Sequence, residues 1–120
     1  MVLINPTEIK VGSIYRVDLN VDAIGHEQTK ERPAIVVAKH SDTSICVVIP
    51  LTTQSDVLRF AYTHSIKKTY ENGLQQDSYA LIFHVRAIDS KKRIIKNIGD
   101  LDDENLMYIL KQLSDYLGLP

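Results

Sequence analysis

Between Gly25 and Val37 the chain reads GHEQTKERPAIVV, a polar segment that turns abruptly aliphatic. His26 and Glu27 are groups that take up and release protons, and Gln28, Lys30 and Arg32 are donors suited to anions. Arg32 is permanently cationic, and its planar fork matches the oxygens of a phosphate. Pro33 restricts Arg32 to extended backbone, which aims the polar segment into the apolar run that follows. About twenty residues further on, the run ICVVIP ends in Leu51-Thr52-Thr53-Gln54, adding two hydroxyls and an amide at a strand end. Proton acceptors, a fixed cation and neutral donors are the groups needed to hold an anion and transform it.

The elements that must position these groups are mostly strands. Tyr15, Val17 and Leu19 alternate with Arg16 and Asp18, the period of a half-buried strand. PAIVVAK and SICVVIPL are short and rich in β-branched residues, as central strands covered on both faces are. Phe60, Tyr62 and His64 alternate again, Asn72-Gly73 marks a turn, and SYALIFHVRAI predicts one long strand. In that strand Tyr79, Leu81, Phe83 and Val85 share one face, with Ala80, Ile82, His84 and Arg86 on the other. Short strands at this spacing, with no helix between them, predict a small antiparallel β-barrel.

The last twenty residues change period: Leu106, Ile109, Leu110, Leu113 and Leu117 form one helical stripe. Asp102 suits the N-cap, Asp103 and Glu104 complement the helix dipole, Leu101 can staple onto Leu106, and Gly118 suits a left-handed stop.

The totals bound the function. A chain of 120 residues suits one domain, 1–120, with one modest core. Its 44% hydrophobic and 24% charged content is that of an ordinary globular chain, no apolar stretch is long enough for a bilayer span, and the N-terminus lacks a leader pattern, so a cytoplasmic address is expected. Cys46 is the only cysteine, which excludes an internal disulfide; it is expected to fill a strand. The net charge of −1 means that a polyanion must be met locally. The local cations are Lys30 and Arg32, then Lys67 and Lys68, then Lys91, Lys92, Arg93 and Lys96; the last two clusters read better as solvated faces. Four scattered histidines have no zinc-site spacing, and no metal or other cofactor is expected.

GSIYRVDLN, GHEQTKERPAIVV, VVIPLTTQS, DSYALIFHVRAID and IGDLDDENLMYILKQLSDYLGL follow one another in an order that resembles the MazF/PemK family of toxin endoribonucleases from toxin–antitoxin modules. The resemblance spans roughly residues 11–118, and the pairing of the Gly-x-Glu-Gln…Arg-Pro loop with Pro-x-Thr-Thr carries its specificity. It implies an SH3-like barrel with a C-terminal helix, a homodimer, metal-independent cleavage of single-stranded RNA, and a cognate antitoxin partner. In that chemistry the 2′-hydroxyl attacks the neighbouring phosphorus, so a base, an acid and donors to the phosphorane are required. By resemblance Arg32 stabilises the charge, Thr52 positions the phosphate, and His26 or Glu27 accepts the proton. Gly25, Gln28, Lys30, Thr53, Gln54 and His84 are expected to contact RNA.

The sequence departs from some relatives, which carry an arginine and an aspartate where Leu81 and Phe83 stand, with His84 in place of a glutamine. That shifts weight onto the loop groups. Each residue also has a plainer reading: Glu27 as a partner of Lys30, Arg32 as a rim ion pair, Thr52 and Thr53 as strand-end residues, and Arg86 with Asp89 as a turn fixture. Two other functions share the barrel: a binding module that holds RNA or a peptide without cutting, and a topoisomerase poison. The latter branch uses a C-terminal tryptophan motif, and this chain has no Trp.

Overall fold

The computed structural model describes residues 9–19 and 31–120. Seven strands form one antiparallel sheet: β1 Ser13–Asp18, β2 Glu31–Lys39, β3 Ile45–Thr52, β4 Thr63–Ile66, β5 Ser78–Leu81, β6 Arg86–Asp89 and β7 Ile94–Asp100. A short helical turn, α1 Ser90–Arg93, joins β6 to β7, and the chain closes with helix α2, Asp103–Tyr116. The strand order is β4-β5-β3-β2-β1-β7, with β6 also on β3. The expected mainly β architecture with a C-terminal helix is therefore present, as a barrel left open between its end strands β4 and β7.

The central strands bury both faces, as their unbroken apolar runs require. Ile35, Val37, Ile49 and Leu51 point into one core cluster with Ile14, Ile82 and Ile109. Their chain neighbours Ala34, Val36, Cys46 and Val48 point into a second, with Tyr15, Val17, Ile88 and Ile94. The period of two along β2 and β3 thus feeds two cores from alternate residues of the same strands. Cys46 fills the second core, where burial, then the nearby Asp89 carboxylate, pushes its thiol up to about 11.

Helix α2 covers the first core. Ile109 is fully buried, and Leu106, Leu110 and Leu113 pack beside it, whereas Leu117 is exposed because it is already the C-cap. Asp102 caps the helix by accepting from the Asn105 amide at 3.0 Å. The stop is a Schellman motif: Gly118 has φ +71, its amide donates to Asp115, and the Leu119 amide donates to Ser114.

Two strand expectations are corrected. SYALIFHVRAI is not one strand but β5, a 3₁₀ turn over Ile82–His84, and β6. On β3, Val48 opposes Arg86 and Leu51 opposes Ala80, so three steps on β3 face six on its partner. The surplus is taken up in the 3₁₀ turn, where Ile82 is buried in the first core and His84 is exposed. Likewise the alternation from Phe60 to His64 yields a strand only from Thr63, because Tyr62 takes a left-handed φ of 62 and Phe60 is exposed. Asn72-Gly73 is the expected turn: Gly73 has φ +68, and a Cβ there would collide with the Ile98 carbonyl. Among the described residues no helix is long and apolar enough to cross a membrane.

Candidate active site

Two prolines determine where a cleft opens. The β2–β3 ladder runs from Lys39 opposite Cys46 to Ala34 opposite Pro50. Neither Pro50 nor Pro33 has an amide hydrogen with which to extend it. Beyond that point β2 stays with β1, pairing Pro33 with Arg16 and Arg32 with Val17, while β3 continues beside β5, pairing Thr52 with Tyr79. The space between the two strand ends is a cleft of about 310 Å³, walled by Glu31, Arg32 and Pro33 on one side and by Thr52, Thr53 and Gln54 on the other. Arg32 and Thr52 are both half-buried, and the structure brings them to this one cleft from twenty residues apart.

The Thr52 hydroxyl is held in place. It accepts the Gln54 backbone amide at 3.2 Å, which leaves its own hydrogen free to donate into the cleft. Thr53 and Gln54 are exposed at the mouth, and Glu31 is the one carboxylate among the described residues of the lining. Buried Ser78 lies at the floor, donating to the Gln76 carbonyl at 3.0 Å. Such a site offers a cation and oriented hydroxyl and amide donors to one anionic group.

Not every expected residue is gathered here. His84 stands on the 3₁₀ turn, exposed, with its ring 4.6 Å from Phe83, and lines neither this cleft nor the one beside it. Gly25, His26, Glu27, Gln28 and Lys30 lie outside the described residues. Arg86 and Asp89 take the plainer reading: Arg86 donates to the Leu19 carbonyl and Asp89 caps the turn at Lys91. His64 bonds Asn105 at 2.7 Å and stacks on Tyr108, so it is a packing residue. Tyr15 is buried in the second core, its hydroxyl accepting from the Lys10 amide.

A second cleft, of about 330 Å³, adjoins the first and shares Pro33, Thr53 and Ser78 with it. Arg16, Lys96, Gln75, Gln76 and Asn97 contribute to its walls. In sequence Arg16 was only the polar member of an alternating strand, and Lys96 belonged to a solvated basic run. Nothing in their spacing joins them, because only the pairing of β1 with β7 sets Arg16 opposite Lys96.

The model of the PemK-like, MazF-like toxins of type II toxin–antitoxin systems matches residues 10–117. The chain belongs to this toxin family. Solved toxins share its fold: MazF from Deinococcus radiodurans superposes with a TM-score of 0.70 at 19% identity, over 92% of this chain and 97% of that one. Mycobacterium tuberculosis toxin MazF-mt6 gives 0.70 at 19% identity, over 90% and 98%. An endoribonuclease from a mycobacterial species, solved in complex with its cognate antitoxin, gives 0.62 at 20% identity, over 92% and 93%. Among curated proteins none matches the chain.

Proposed function

We propose that this toxin is a sequence-selective endoribonuclease that cuts single-stranded RNA in the cytoplasm without a metal, arresting translation. The observation that carries the reading is the convergence of Arg32 and Thr52 on one cleft. The 2′-hydroxyl attacks the adjacent phosphorus, its proton passes to His26 or Glu27, and the bond from phosphorus to the 5′-oxygen breaks as that oxygen takes a proton from water, while Arg32 stays cationic throughout. A 2′,3′-cyclic phosphate remains on the upstream fragment. Arg32 holds the charge that grows on the phosphorane, and the Thr52 hydroxyl fixes one of its oxygens; both interactions strengthen as the charge concentrates. Thr53 and Gln54, at the mouth, contact the nucleotides on either side. The mycobacterial endoribonuclease solved with its cognate antitoxin supports an antitoxin partner here; on our reading an acidic antitoxin segment folds across the cationic cleft and excludes RNA. The functional unit on this reading is a homodimer of single-domain chains.

The test is incubation of purified protein with long RNA in EDTA. Metal-independent fragments ending in a cyclic phosphate are expected, with Arg32→Ala and Thr52→Ala each lowering the rate by about 100-fold or more while circular dichroism stays native. Retention of RNA without fragments sinks the enzyme in favour of a binding module, and full activity in both variants sinks the site.

A further inference from the structure

Across β7, β1 and β2 the strand pairing places Lys96 opposite Arg16 and Arg16 opposite Pro33. Directly opposed residues share a sheet face with Cβ atoms about 4.5–5.5 Å apart, so these three form a row that ends beside the Arg32 cleft. The row is one wall of the second cleft. Among the described residues the two clefts together present Arg16, Arg32 and Lys96 against one carboxylate, Glu31, in a chain whose net charge is −1. Positive charge is therefore concentrated along one groove of a slightly acidic molecule. Arg16 gives one long hydrogen bond, 3.4 Å, to the Glu31 carbonyl, leaving most of its five donors uncommitted by that bond. Gln75 and Gln76 line the same cleft, and their amides each carry donors and an acceptor, the pattern that reads base edges, whereas Asn97, next to Lys96 on β7, turns its amide nitrogen to the Ile14 carbonyl at 3.5 Å. A volume of about 330 Å³ is at the small end for ligand pockets, the scale of one base with its phosphate.

We propose that this second cleft is a nucleotide subsite flanking the scissile phosphate, in which Arg16 and Lys96 hold the adjoining phosphate and the Gln75 and Gln76 amides select its base. The proposal rests on the RNA-cleaving reading above and assigns part of its sequence choice to residues outside the catalytic cleft. An acidic peptide would also meet the two cations, but the two glutamine amides in the same lining suit a base better than carboxylates.

The experiment uses the full chain with Arg16→Gln, Lys96→Gln and the double variant, which keep side-chain bulk and remove charge, and with Gln76→Ala. Affinity for a fluorescein-labelled random-sequence RNA decamer is followed by anisotropy over a salt series, and cut sites are mapped across total RNA. Each charge removal is expected to flatten the slope of log K against log salt, and the double variant to flatten it by about 0.7, the release from one single-strand phosphate. Gln76→Ala is expected to keep that slope and relax base choice at a position next to the cut. If wild type binds RNA with these slope changes yet cuts nothing, the catalytic reading fails and the subsite stands. If wild type cuts and the double variant keeps both slope and cut-site pattern, the subsite fails and the enzyme stands. Loss of affinity in these variants for a poly-glutamate peptide alone, with RNA unaffected, assigns the cleft to an acidic protein segment and also overturns the proposal.

Discussion

Thr52 shows how a common residue acquires a directed role. Its hydroxyl oxygen is already engaged by the Gln54 amide, so only its hydrogen is left for a phosphate. Thr52→Ser keeps that geometry and is expected to retain activity within about tenfold of wild type, whereas the similarly shaped Thr52→Val removes the donor and should lower kcat by about 100-fold. Single-turnover cleavage of one RNA separates the two; equal loss in both would assign Thr52 to packing. Cys46 illustrates the opposite case: its buried thiol, pushed up to about 11, has almost no thiolate at neutral pH and contributes only volume.

At the scale of elements, the site depends on where two strands part and on the helix that backs the core beneath them. Helix α2 is held at its start by Asp102, whose carboxyl is lowered from its ordinary 3.8 by hydrogen bonds from the Asn105 side chain and backbone amide. A depressed folded-state value means this contribution is complete above about 3.8 and fades as the pH falls below it. Urea midpoints are expected to drop on acidification below that value, by less in Asp102→Ala, which starts about 1 kcal/mol less stable at neutral pH. An unchanged pH response in the variant would show that other carboxylates dominate. Deeper in the same element, Ile109→Ala should cost about 2–5 kcal/mol because the side chain is fully buried beneath the sheet.

For the whole molecule, charge decides what the groove can hold. With 14 Lys and Arg against 15 Asp and Glu, long-range attraction for RNA is weak, and on the proposed reading binding rests on groove cations, of which Arg16, Arg32 and Lys96 are those among the described residues. An antitoxin that neutralises the toxin through this groove must compete with RNA. Titrating it against the labelled decamer is expected to raise the apparent Kd for RNA in proportion to antitoxin, and a ternary complex would place the antitoxin elsewhere.

The sequence by itself determined the strands β1 to β3, the Asn72-Gly73 turn, helix α2 with both its caps, and the pairing of the Arg32 motif with the Thr52 motif. These are properties of neighbouring residues: period, branching, capping side chains, and a proline after an arginine. The break of SYALIFHVRAI into two strands was not legible, because its cause is an unequal residue count between β3 and its partner, known only once they are paired. The position of His84 outside the cleft and the meeting of Arg16 with Lys96 were likewise set by strand register, which depends on contacts between residues up to eighty positions apart. Local chemistry named the parts, and only long-range pairing decided which of them share a groove.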